Sequence, residues 1–135
     1  MCVWRVGWRN NGASPVKTGY FAKLRTYTNA GLVPVSIARV TPKWYGGLVY
    51  KRLSPTTAML HEYRDGPLQG DTERYAAVFR RCILSHLDRD SVVRELERLT
   101  GVSSDGIILL CYEKSTDFCH RQLVAEWLGN CEEYK

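Results

Sequence analysis

The sequence has no apolar run long enough to cross a bilayer. Its longest, Gly106 to Tyr112, falls far short of the roughly 20 residues that a spanning helix requires. The opening Met1-Cys2-Val3-Trp4-Arg5 alternates apolar with polar residues and lacks the continuous apolar core of an export signal. A cytoplasmic chain with no membrane partner is therefore expected. Gly-x-Gly-x-x-Gly and the Gly-rich P-loop pattern are missing, which removes two common marks of phosphate cradles. Gly-x-Ser-x-Gly is also missing, so a hydrolase nucleophile elbow is unsupported. A cysteine-phosphatase loop needs an arginine six positions after its cysteine, and after Cys119 that position holds Ala125. No Cys-x-x-Cys knuckle occurs. A zinc set would have to be assembled from Cys111, Cys119, His120 and Cys131, and no metal is expected. Repeats, low-complexity tracts and linkers are lacking too, which predicts one domain over residues 1–135.

What is present is ordinary globular composition: 135 residues, 44% hydrophobic and 24% charged. A chain of this length can bury a core without staples. The five cysteines are Cys2, Cys82, Cys111, Cys119 and Cys131. Their number is odd and their spacing irregular, which predicts free thiols. A formal net charge of +5 suits an anionic small molecule, a nucleotide or nucleic acid.

Period-two alternation predicts a strand over 2–9, followed by a turn-rich loop. Tyr20, Phe21, Leu24 and Tyr27 predict a short helix over 18–28, closed by Asn29-Ala30-Gly31. The apolar run 32–38 predicts a strand buried on both faces, with Pro34 at its start or on an edge. Residues 40–48 read as a loop. Ser54-Pro55 predicts a helix start, with the helix running to about Arg64. Asp71 caps a helix with the stripe Tyr75, Val78, Phe79, Cys82 and Ile83. Asp90 is expected to cap the next, with Val92, Val93, Leu96 and Leu99 inward and Gly101 as its stop. Residues 107–112 are the strongest strand. Asp117 is expected to cap a last helix carrying Leu123, Val124, Trp127 and Leu128. Strands separated by helices predict an α/β fold with a mainly parallel sheet and flanking helices.

Ligands of such sheets bind beyond the carboxyl ends of the strands. Arg39 follows one strand, and Glu113-Lys114-Ser115-Thr116-Asp117-Phe118-Cys119-His120-Arg121 runs from the last strand into the last helix. The first turn of a helix offers unpaired N–H groups to an anion. Arg121 adds a planar fork, and Cys119 beside His120 would tend toward thiolate. Glu113 could act as acid, base or partner of Arg121. A structural reading of the same residues stands beside this one: Asp117 as a cap only, Cys119 as a small buried hydrophobe, and Arg121 paired with Glu113. Lys43-Trp44-Tyr45 combines charge with rings that could stack on bases, or fold over the sheet edge.

At these residues the chain resembles the family catalogued as domain of unknown function 488. The resemblance runs from about Tyr20 to Leu128. It rests on Gly19-Tyr20-Phe21-Ala22, Val35-Ser36-Ile37-Ala38-Arg39, Lys43-Trp44-Tyr45, Leu53-Ser54-Pro55 and Leu123-Val124-Ala125-Glu126-Trp127-Leu128. Above all it rests on Leu109-Leu110-Cys111-Tyr112-Glu113-Lys114 leading into Phe118-Cys119-His120-Arg121. The resemblance implies a small α/β protein of bacteria or their phages and assigns no reaction.

Three functions are open at this point. The first is a strand-end pocket for a phosphate-bearing or nucleotide-like ligand, built on Cys119, His120, Arg121 and Asp117, oriented by Glu113 and Arg39 and closed by Tyr20 and Trp44. If that pocket is catalytic, Cys119 is the nucleophile and His120 or Glu113 the proton carrier. The second is a nucleic-acid-binding module. The third is a phage-encoded interaction protein. Cofactor and oligomeric state are left unassigned.

Overall fold

The computed structural model describes residues 16–66, 69–112 and 120–129. Its strands are β1 (Lys17–Tyr20), β2 (Val33–Ser36), β3 (Leu48–Val49) and β4 (Ile107–Cys111). Its α-helices are α1 (Leu24–Asn29), α2 (Thr57–Asp65), α3 (Thr72–Cys82), α4 (Arg89–Thr100) and α5 (His120–Leu128). The strands form one all-parallel sheet in the order β1-β4-β2-β3, flanked by the helices, which is the α/β class expected. The strand predicted over 2–9 lies outside the described residues.

Every residue of β4 is buried, and its period-two alternation serves two cores. Ile107, Leu109 and Cys111 face the larger core, with Phe79 from α3, Leu96 from α4 and Val124 from α5. Ile108 and Leu110 face the smaller one, with Phe21, Tyr27, Ala38 and Tyr45. A strand covered on both faces needs the uninterrupted apolar run that the sequence shows here.

Pro34 sits at the second position of β2. Ile37 donates its N–H to Leu110 O of β4 and Ser36 O accepts from Tyr50. Alternate residues therefore turn their backbone polar groups to opposite neighbours, and Pro34 turns toward β3. That strand pairs only with Val35 and Ser36, so the missing proline N–H interrupts no ladder bond.

Several boundaries differ from expectation. The helix predicted over 18–28 is split into strand β1, a 3-10 turn over Phe21–Lys23, and α1. Pairing of Gly19 and Tyr20 with Leu110 and Cys111 outweighs the local helical spacing. The loop predicted over 40–48 ends in the short strand β3. Thr56, not Ser54, caps α2, its side chain accepting from Met59 N–H at 3.1 Å. Ser54 is buried instead, its Oγ 2.8 Å from Ile37 O and 3.1 Å from Ala38 O.

Asp71 caps α3 as expected, accepting from Arg74 N–H at 3.1 Å. Asp88 rather than Asp90 caps α4, accepting from Ser91 N–H at 3.0 Å. Asp90 lies in the first turn, and Leu99 is exposed rather than inward. Gly101 ends the helix in the left-handed conformation at φ 77°, the geometry that favours glycine.

The Ser91 amide, followed by its side chain, holds the Asp88 carboxyl below its ordinary value. A depressed carboxylate stabilises the fold above the unfolded pKa of about 3.9 and loses that contribution as pH falls through the lower folded value. The stability gap between the native chain and Asp88→Ala should therefore be constant from neutral pH to about pH 5 and close below about pH 4. Urea unfolding across that range checks this, and a gap persisting at pH 2 would contradict it.

Candidate functional site

Beyond the carboxyl ends of β2 and β4 lies a cavity of about 580 Å³, a size that suits a small organic ligand. Ala38, Arg39 and Val40 line it from the end of β2, and Cys111 and Tyr112 from the end of β4. Helix α2 and its approach contribute Pro55, Leu60, Tyr63 and Arg64, α3 contributes Tyr75, and His120 opens α5. The wall is largely aromatic and aliphatic, with two guanidinium groups.

The turn after β2 that presents Arg39 is tied by side chains. Ser36 Oγ accepts from Ala38 N–H at 3.2 Å, a local bond that bends the chain out of the strand. Lys51 Nζ donates to Arg39 O. Partial burial, and then the Arg39 charge, lower the Lys51 pKa. Burial is the larger cause, and the Arg39 guanidinium adds like-charge repulsion to it.

His120 is 6% exposed and stacks obliquely against Phe79, centroids 5.4 Å apart. Its Nε2 lies 2.7 Å from Ile37 O. A carbonyl only accepts, so Nε2 carries the hydrogen and, in the neutral ring, Nδ1 presents the lone pair. Nδ1 is 3.5 Å from Cys111 Sγ, with Nε2 at 3.6 Å. Ile37 O thus gathers α5 through His120 and the approach to α2 through Ser54 onto the end of β2.

Of the residues expected from sequence, Arg39 and His120 are brought to this one cavity. Arg121 is fully buried and lies outside the lining. Its guanidinium carbon sits 5.9 Å from the centre of the Tyr20 ring, a cation–π distance. Tyr20, at the end of β1, is therefore joined to Arg121 and not to the cavity. Trp44 is 62% exposed and also stands outside the lining. Glu113, Asp117 and Cys119 lie outside the described residues. Sequence reading overlooked Arg64, Tyr63 and Tyr112. Arg64 and Tyr63 lie a helical step from Leu60, another lining residue, a face that becomes meaningful only once α2 is docked. Among the described residues no cluster of three or more His, Cys, Asp or Glu is placed to hold a metal ion, and no helix is long and apolar enough to cross a membrane.

A family model described as "DUF488-N3a: Active DUF488-N3 subclade" matches residues 24–131. The chain belongs to the DUF488 family. The matched span takes in every residue lining the cavity of this DUF488 protein. No curated protein and no solved structure was found to match the chain.

Proposed function

We propose that the cavity binds a phosphate-bearing, nucleotide-like anion. The observation that carries this reading is the placing of Arg39 and Arg64 on a cavity walled by Tyr63, Tyr75 and Tyr112. Guanidinium forks match phosphate oxygens, and aromatic walls match a flat ring. Lys51, bonded to Arg39 O, reinforces the positive field, and His120 offers the cavity a single oriented imidazole. In this reading His120, at the start of α5, stands on the inner wall of the site. If the ligand is turned over, Cys119 is the nucleophile and His120 or Glu113 carries the proton. Cys119→Ser would then abolish turnover while leaving binding intact.

Calorimetric titration with inorganic phosphate and with nucleoside monophosphates tests the proposal. The native chain should bind a nucleoside monophosphate more tightly than phosphate. Arg39→Ala and Arg64→Ala should each weaken it about tenfold, as expected for loss of one charge-assisted bond. The reading fails if none of these anions binds, or if the double variant binds as tightly as the native chain.

A further inference from the structure

The surface beside the cavity is more aromatic and more basic than one nucleotide requires. Phe21, buried after β1, is the hub of a ring cluster. Trp44 meets it edge-on at 6.3 Å and 88°, Tyr45 at 5.2 Å and 65°, and Tyr112 at 5.2 Å and 63°. Tyr45 serves the fold: it is buried, and its hydroxyl lies 2.7 Å from Leu48 O. Burial also pushes its phenol up to about 12. Trp44 and Tyr112 do the opposite. They keep one flank on Phe21 and leave 62% and 45% of their surface to solvent. Val40, 66% exposed, lies on the same carboxyl edge. Tyr112 and Val40 also line the cavity, so the cavity and the shelf share these two residues.

Charge is segregated in the same direction. Every Asp and Glu of the chain lies at or beyond Glu62. The segment that builds β1, α1, β2 and β3 carries basic residues and no acid, and exposes Lys23, Arg25, Lys43 and Lys51. A single bound phosphate would not use a field of that extent. A polyanion carrying flat rings at regular intervals would use both the field and the shelf. A duplex hides its base faces, and an acidic peptide lacks the rings.

We infer that the cavity's ligand is one nucleotide of a single strand of nucleic acid, whose neighbouring base stacks on Trp44 and whose backbone follows the exposed lysines and arginines of this segment. The inference rests on the cavity reading above and adds the substrate class.

Fluorescence anisotropy with labelled hexathymidylate and hexauridylate, competed by the matching mononucleotides and by a duplex, tests it. The hexamer should bind at least tenfold tighter than its mononucleotide, with the steeper salt dependence of a multi-phosphate contact. Comparison of the two hexamers shows whether ribose or deoxyribose is preferred. Trp44→Ala, at a position 62% exposed whose ring meets the core through Phe21, should weaken the hexamer about tenfold and spare the mononucleotide. Mononucleotide binding without a tighter hexamer overturns the inference and leaves the cavity reading standing, as does a hexamer indifferent to Trp44→Ala. A duplex that competes as well as the single strand overturns it too. Failure of both hexamers and mononucleotides to bind removes both readings.

Discussion

Phe79→Ala should lower the unfolding free energy by about 4 kcal/mol, the middle of the range for truncating a buried aromatic ring. Phe79 is fully buried on α3, stacked 6.4 Å from Tyr75 and 5.4 Å from His120. Around it stand the fully buried Leu109 and Val124 of the same core, elements tied by their own backbone bonds and unable to collapse into the space. The loss therefore includes a cavity term as well as transfer. It should also have a functional signature. Without Phe79 the His120 imidazole loses one wall, so ligand affinity should fall even at temperatures where the variant is fully folded. Urea unfolding measures the first effect and calorimetry on the folded variant the second. A loss below about 1 kcal/mol, the centre of the distribution for point substitutions in general, would show that the ring is not packed as described.

Gly19→Ala should cost about 3 kcal/mol, the upper end for overpacking a close contact. A Cβ at Gly19 would stand 2.5 Å from Tyr27 Cζ and 2.8 Å from Cε2. Tyr27 cannot retreat. It is fully buried, and its hydroxyl accepts the Tyr20 N–H at 3.1 Å. Gly19 cannot retreat either, because β1 is paired with β4 through Gly19 and Leu110. One methyl group must therefore break the β1 pairing or expel the Tyr27 ring. Gly46→Ala is the matched control, since a Cβ there meets nothing within 4 Å, and it should change stability by no more than about 0.5 kcal/mol. Equal thermal midpoints for the two variants would refute the packing argument.

Much of the fold was legible because the signals that encode it act locally. The Asp71 cap and the Gly101 stop are satisfied within one helical turn. The apolar run of β4 states its own double burial. The misreadings are equally physical. Tyr20 sits in helical spacing with Leu24 and Tyr27, yet it and Gly19 pair with residues of β4 that lie far along the chain. Ser54 has the chemistry of a helix cap and is used instead to bind the end of β2. Neither outcome can be read from neighbours in sequence, because a side chain that can cap a helix can equally bond a distant carbonyl.

The site divides in the same way. Arg39 and His120 follow from the rule that parallel sheets bind ligands beyond their carboxyl ends, and each stands where a strand or loop should end there. Tyr112 also closes a strand, but only its exposure and its place against Phe21 distinguish it from a core residue. Arg121 illustrates the converse. Its type and position invite a solvent-facing anion contact, while its side chain is fully buried near Tyr20.

By itself the sequence determined the α/β class, the buried central strand, the DUF488 membership and the end of the sheet at which to look. Composition, period and short motifs are properties of consecutive residues, and they survive without coordinates. Only the tertiary structure decided which arginines face a cavity and which lies buried, and that Trp44 and Tyr112 share a hub. Those outcomes depend on the direction each side chain takes once distant elements have packed, a quantity set by the whole core rather than by any stretch of chain.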